Sequence, residues 1–318
     1  MNLSIYLSGY LGSQLKDTPH SGSHELFRFG KVSFLPKTTD ELLLTMLGLN
    51  TDNELPLAAL IKQGELAVDR TSTSFCLLAQ PVYLQLQRDS FGLSEAVKLS
   101  SAEYEKLTAE LNEHFNEDGI TFVKSQTQQY WFVSFEFPMS VSTYPLQTAI
   151  HQNIHALQPY GKDAKQLLKV INQVQMLLHE HPINIARSEQ GEVTINSLWL
   201  SGEGALPLGV ATTAEFIGEG HLLKGVMAVT NKTPYANLES LLNSTVNQAI
   251  AIYDDMHFIE WDKLYQAVKQ RKIKQLEINL PIENSTLHLS MTSWDCWKFW
   301  RKSQNVDLLY HKYSMCKN

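Results

Sequence analysis

The chain has 318 residues, 43% hydrophobic and 19% charged. That balance belongs to a globular protein long enough for two domains or one elaborated one. A formal net charge of −7 argues against a dedicated nucleic-acid binder. Cys76, Cys296 and Cys316 are few, odd in number and far apart, which suits a reducing cytoplasm better than a disulfide framework. The start MNLSIYLSGY lacks a positive leader region, and no apolar window of about 18 residues occurs, so a cytoplasmic protein without membrane contact is expected.

Residues 1–11 read as a strand, with Leu3, Ile5 and Leu7 alternating with Asn2, Ser4 and Tyr6 and Gly9 ending it. In α/β proteins the end of a first strand is ligand ground, and Ser8-Gly9 stands there. A serine is a poor ligand for a hard cation. Residues 12–38, rich in Gly, Ser, Pro and His, read as a loop. His20 and His24 are at i, i+4, but the breakers around them oppose a metal-binding helix. Thr39-Asp40 cap a short helix that stops at Gly48, and 56–63 read as a second helix with Pro56 in its first turn.

SFCLLAQPVYLQLQ at 74–87 reads as one or two strands, with Pro81 at a strand start or on an edge. Arg88-Asp89-Ser90 follow. Arg88 could clamp an anion and Asp89 could hold a proton or metal; a surface ion pair or helix cap is the plainer reading. Residues 99–118 form the clearest amphipathic helix, capped by Ser100 or Ser101 with Glu103 and striped by Leu107, Leu111 and Phe115. Ile120–Val123 and Tyr130–Phe137 are expected to pair as a hairpin. No Lys or Arg interleaves residues 129–137, so the aromatics make no nucleic-acid platform. Pro138–Pro145 is the expected internal break, dividing the chain into 1–145 and 146–318.

His151 and His155 are again at i, i+4, but a zinc protease would need Glu where Gln152 stands. A helix over 163–181 follows, ended by Pro182. The next residues are rich in donors: His181, Asn184 and Arg187, then Asn196 and Ser197 on a short apolar strand ending at Ser201-Gly202-Glu203-Gly204. An Arg with amide donors beside a glycine-rich strand end suits a carboxylate or phosphate. The expected ligand-binding set is therefore His181, Asn184, Arg187, Asn196, Ser197, Gly202 and Gly204, with Arg88 and Asp89. His179 and His181 could instead pair on a metal; capping and packing are preferred.

Leu222–Val229 reads as a turn and a buried strand, Leu238–Leu242 as a helix start near Asn237, and Gln248–Tyr253 as a strand. Asp254, Asp255 and His257 follow that strand, and Asp254 or Asp255 is read as the N-cap of a helix over 258–269. Leu276–Leu280 and Leu287–Met291 form a hairpin across PIENST. Residues 261–318 hold ten Lys and Arg against five Asp and Glu. In the tail WDCWKFWRKSQ, cation–π packing against the body is the default, and a basic-aromatic surface for an acidic protein partner is the alternative.

The segment HPINIARSEQGEVTINSLWLSGEGALP at 181–207 resembles RpfE-type bacterial proteins, whose pattern is HPVN, an Arg, then N-S-L-W-x-W-G-x-G-x-x-P. PVYLQLQRDS at 81–90, LNEHFNEDGITF at 111–122, YWF at 130–132 and WKFWR at 297–301 extend the resemblance over nearly the whole chain. That family is described as phosphoglycerate-mutase-like and is distantly similar to cofactor-independent phosphoglycerate mutases of the alkaline phosphatase superfamily. The resemblance implies an α/β fold of that type, reduced or degenerate. Its mostly parallel central sheet is flanked by helices, with an antiparallel elaboration around 120–145. Metal-dependent members place an Asp-Gly ligand at the first strand end; Ser8-Gly9 departs from it, so no metal or cofactor is expected. The family's second Trp and glycines stand here as Ser201–Gly204, and acidic Glu203 opposes anion binding there.

The leading expectation is a regulatory, anion-sensing relative of phosphoglycerate mutase without the metal catalytic set. A metal-dependent phosphotransferase with relocated ligands Asp254, Asp255 and His257 is the runner-up, and an interaction protein using its C-terminal tail the third reading.

Overall fold

The computed structural model describes residues 1–8, 21–49, 54–67, 74–86, 91–93, 96–150, 152–282 and 285–298, the side chains of 21–24, 86 and 91 excepted. His20, Arg88, Asp89, Ser90, His151 and the tail from 299 onward lie outside them. The chain forms two units: Met1–Leu49 with Gly209–Asn318, and Asn50–Leu208. The second is thus inserted into the first, and the expected break at 138–145 falls inside it.

The first unit begins with β1 (Asn2–Leu7), α1 (Ser21–Phe29), β2 (Lys31–Leu35) and α2 (Thr39–Met46). Residues 21–35, expected as loop, are a helix and a strand. Leu26, Phe27 and Phe29 are buried, and the turn between the two elements needs Gly30, because a Cβ there would sit 2.8 Å from the Leu26 carbonyl oxygen. Thr38 and Glu41 cap α2 reciprocally, as a capping box does.

The inserted unit contains α3 (Leu57–Leu66), β3 (Phe75–Val82), β4 (Gln85–Leu86), β5 (Phe91–Gly92), α4 (Ser101–Phe115), β6 (Ile120–Lys124), β7 (Trp131–Phe135), α5 (Leu146–Ala149), α6 (Ala164–Leu178), α7 (Pro182–Glu189) and β8 (Ser197–Gly204). Its sheet is antiparallel in the order β6-β7-β3-β8. The expected hairpin is β6–β7, and Trp131, Phe132, Val133 and Phe135 fill its core. Pro81 lies inside β3, not at its start. The pairing with β7 ends at Ala79, and on that side Pro81 meets only a short bridge, its carbonyl accepting from the Val97 N–H at 2.8 Å, so the missing N–H interrupts no strand ladder. Ser100 and Glu103 form the capping box of α4.

The first unit resumes with β9 (Glu215–Glu219), α8 (His221–Thr230), α9 (Leu238–Leu242), β10 (Gln248–Tyr253), α10 (Trp261–Lys269), β11 (Gln275–Ile282) and β12 (Ser285–Thr292). Its sheet runs β2-β12-β11-β1-β10-β9. The pairs β11–β1, β1–β10 and β10–β9 are parallel, and β12 with β2 adds an antiparallel edge. The protein is therefore mixed α/β, with one mostly parallel and one antiparallel sheet. All of Leu3–Leu7 is buried, as a central parallel strand requires.

The run 222–229, expected as a strand, is helix α8. Parallel neighbours β9 and β10 need a crossover between them, and Leu222, Leu223, Val226, Met227 and Val229 supply its buried face.

Candidate functional site

Two places gather the chemistry-bearing residues. The first is the carboxyl edge of the parallel sheet, where α/β folds place ligands. Ser8 continues β1, its N–H donating to the Tyr253 carbonyl at 2.9 Å. It is 2% exposed, and its Oγ has no hydrogen-bond partner among the described residues. Asp254 follows β10, and its Oδ2 accepts from the His221 N–H at 2.8 Å, so it caps α8 rather than the later helix. Gly220 makes the approach possible: φ is +120°, and a Cβ would lie 2.2 Å from the Asp254 carboxyl. Asp255 Oδ1 accepts from the His257 N–H at 2.8 Å and meets His257 Nδ1 at 2.7 Å, capping the 3-10 turn 256–258. The helix beyond, α10, starts at Trp261. Among the described residues no group of three or more His, Cys, Asp and Glu is placed to hold a metal ion. The described donors at this edge are therefore the Ser8 hydroxyl after β1, Asp254 on the N-terminus of α8, and Asp255 with His257 after β10.

The second place is the 173–207 stretch in the inserted unit. Pro182 does not only end a helix. α6 stops at Leu178, Glu180 takes φ +53°, and Pro182 occupies the first turn of α7, where its missing N–H costs nothing. His181 is the cap: its Nδ1 accepts from the Ile183 N–H at 3.2 Å, and its Nε2 lies 2.5 Å from Glu110 Oε2. Asn184 donates to the carbonyls of Leu178 and Ile195 and accepts from the Ile195 N–H at 2.8 Å. Arg187 is 6% exposed. Its Nε donates to the Val193 carbonyl (2.6 Å), and its two other nitrogens reach Glu103 (2.9 Å) and the Lys98 carbonyl (3.2 Å). Burial pulls the Glu103 carboxyl up, but Ser100 and Arg187 outweigh it and hold it below the ordinary range. His181, Asn184 and Arg187 thus tie α7 to its neighbours, and the expected convergence of these three on a ligand hollow does not form.

Gly202 and Gly204 do not form an anion-binding turn. Leu78 faces Ser201 while Cys76 faces Gly204, so β8 carries an extra residue there, a β-bulge. The bulge lets Gly204 lie against Pro56, 2.9 Å from where a Cβ would be. It also turns Glu203 inward, 4% exposed. The Thr143 N–H donates to Glu203 Oε1 at 3.1 Å, and the Thr143 hydroxyl to Oε2. Burial pushes this carboxyl up to about 7, against the pull of the Thr143 bonds and with a further push from Glu54.

Asn196 and Ser197 have a different setting. They line a cavity of about 500 Å³ between α6, β8, the loop at Thr143-Tyr144 and the 3-10 turn 154–157. Asn196 exchanges two hydrogen bonds with the backbone of Leu84 (2.7 and 2.9 Å). Ser197 Oγ accepts from Gln175 Nε2 at 3.1 Å, and the Trp199 indole N–H donates to the Tyr144 carbonyl at 2.7 Å. The contributions of α6 and of residues 143–158 were not legible in the sequence. Gln175 and Tyr144 carry no motif, and only the fold brings them to β8.

Residues 76–184, all within the inserted unit, match the family model of 2,3-bisphosphoglycerate-independent phosphoglycerate mutase. A probable 2,3-bisphosphoglycerate-independent phosphoglycerate mutase of Geobacter sulfurreducens is 23% identical over 210 residues, 63% of this chain and 52% of that protein. The enzyme of that name from Methanosarcina mazei is 23% identical over 186 residues, 58% of this chain and 46% of its own. The chain spans about half the length of these relatives. Among solved structures, a protein of Pyrococcus horikoshii aligns with TM-score 0.45 and 12% identity, covering 92% of this chain and 87% of that one. The cofactor-independent phosphoglycerate mutase of Thermoplasma acidophilum gives 0.39 and 12%, covering 91% and 89%. The chain is phosphoglycerate-mutase-like.

Proposed function

We propose that the protein is a phosphoglycerate-mutase-like chain, reduced from an alkaline-phosphatase-like ancestor of the RpfE type, that binds a ligand in a regulatory role and does not transfer phosphate through bound metal. One observation carries this reading: Ser8 follows β1, and Asp254 and Asp255 after β10 accept from the backbone N–H groups of His221 and His257. Arg187, the expected anion clamp, is buried in an intramolecular network, so the ligand site is assigned to the cavity beside Asn196 and Ser197. The test is elemental analysis of full-length protein after equilibration with Mn²⁺ and Zn²⁺ and removal of excess. Substoichiometric metal is expected; two tightly held cations per chain would overturn the reading.

A second reading, a phosphotransferase with relocated ligands, is favoured by the Asp255–His257 pair at the end of β10. Asp255→Ala distinguishes the two. Lost metal and lost phosphomonoester turnover would establish the second reading, and unchanged values would end it.

A further inference from the structure

β8 is the last strand of its sheet among the described residues, and its residues 197–200 border the cavity of the inserted unit. Pro81 fixes which backbone groups lie on the outer edge. The Pro81 carbonyl accepts from the Val97 N–H, away from β8. Pro81 and the residue opposite it, Leu198, are therefore a pair without mutual hydrogen bonds, and the N–H and C=O of Leu198 turn away from β3. Leu200, opposite Ala79, repeats the arrangement two residues on. Leu198 and Leu200 line the cavity and are 4% and 6% exposed. No described residue hydrogen-bonds to their backbone from that side. Buried main-chain donors and acceptors are nearly always paired. Two donor–acceptor sets about 6.8 Å apart are what one strand presents to alternate residues of the next.

The flanks suit a chain lying along this edge. Leu198 and Leu200 pack with Leu167, Val170 and Val174 of α6, and the same helix lines one wall with Ile171, Asn172 and Gln175. Trp199 packs on the other face with Ile154 and Leu157, which line the opposite wall. An added strand alternates its side chains between two such walls. Gln158, Asn172 and His179 on the rim are exposed, so the cleft is open to solvent. A free strand edge with a helix beside it takes peptides by strand addition, main-chain bonds giving affinity and the walls giving selectivity.

We propose that this cleft binds an extended peptide segment of a partner protein, added as a strand on the β8 edge and paired to the main chain of Leu198 and Leu200. The proposal rests on the ligand-binding reading above and names the class of its ligand.

The test titrates full-length, nitrogen-15-labelled protein with the extended probe acetyl-Thr-Val-Thr-Val-Thr-amide and follows the Leu198 and Leu200 amide resonances. Both should shift saturably by about millimolar peptide. Two analogues locate the bonding, one N-methylated at the valines and the other at the threonines. Strand residues facing an edge alternate, so one analogue should bind at least tenfold more weakly and the other as the parent does. Asn172→Trp and Gln158→Trp, at exposed positions on the rim, should each weaken binding at least tenfold with the melting temperature unchanged. Absence of a saturable shift at the two amides would overturn the proposal. So would equal sensitivity to the two methylation patterns, or undiminished binding in both variants. Shifts at these amides that follow self-association in sedimentation, without peptide, would assign the edge to a second copy and also overturn it. Tightly held cations or phosphate turnover would sink the regulatory reading while leaving the peptide titration intact, so the two failures are distinguishable.

Discussion

At the scale of single residues, the most consequential side chains are those that looked like ligands and act as braces. Asn184 makes three hydrogen bonds to backbone groups, so Asn184→Ala strands buried partners and should cost about 1–3 kcal/mol. Arg187→Ala removes a buried cation from Glu103 and two carbonyls and should cost about 2–4 kcal/mol. Denaturant titration checks both. Glu203 gives a pH prediction. Its folded value, about 7, stands above the ordinary 4.5. The folded state therefore holds the proton more tightly, and stability falls as pH rises from about 4.5 to 7. Glu203→Gln preserves the protonated shape, so it should remove this slope and raise stability at pH 8 by on the order of 2 kcal/mol. A variant less stable than the wild type at pH 8 would contradict this.

At the scale of elements, glycine positions show how tightly the parallel sheet is built. Gly218 in β9 has φ +130°, and a Cβ would come 1.9 Å from the Ile252 carbonyl oxygen in β10. Gly218→Ala should therefore destabilise the first unit by about 3 kcal/mol, seen as a lowered melting temperature. Elements with strong local signals were legible in the sequence: α4 from its capping box, β6–β7 from aromatic β-rich runs, β11–β12 from alternation. The apolar run of α8 was not, because a short buried helix and a buried strand share that composition. Residues 21–35 were masked by Gly, Ser and His, although Leu26, Phe27 and Phe29 mark the buried face. At the site, Asn196 and Ser197 were legible as polar residues on an apolar strand. The bracing roles of Asn184 and Arg187 were not, since a donor-rich sequence looks alike whether its partners are backbone or ligand.

At the scale of the whole molecule, each unit has its own core. One is built from Leu3, Ile5, Ala251 and Ile278 with their neighbours, the other from Leu77, Trp131, Val133 and Leu198 with theirs. The inserted unit is one continuous stretch, 50–208, and residues 50–208 alone should unfold cooperatively. A non-cooperative melt would show that its stability depends on the rest of the chain. Among the described residues no helix is long and apolar enough to cross a membrane. Trp294 and Trp297 are 72% and 71% exposed, with Arg271 5.7 Å from the Trp294 ring. That contact supports packing of the tail's start against the body. A protein partner for the tail is a proposal, tested by a pull-down with and without 294–318.

The most direct measurement is phosphorus NMR of full-length protein incubated with 3-phosphoglycerate and excess Mn²⁺. With Ser8 after β1 and Asp254 and Asp255 each accepting a backbone N–H, the 3-phosphoglycerate signal should persist with no growth of 2-phosphoglycerate or free phosphate above the protein-free control. Steady conversion that scales with protein concentration and disappears in Asp255→Ala would contradict the account.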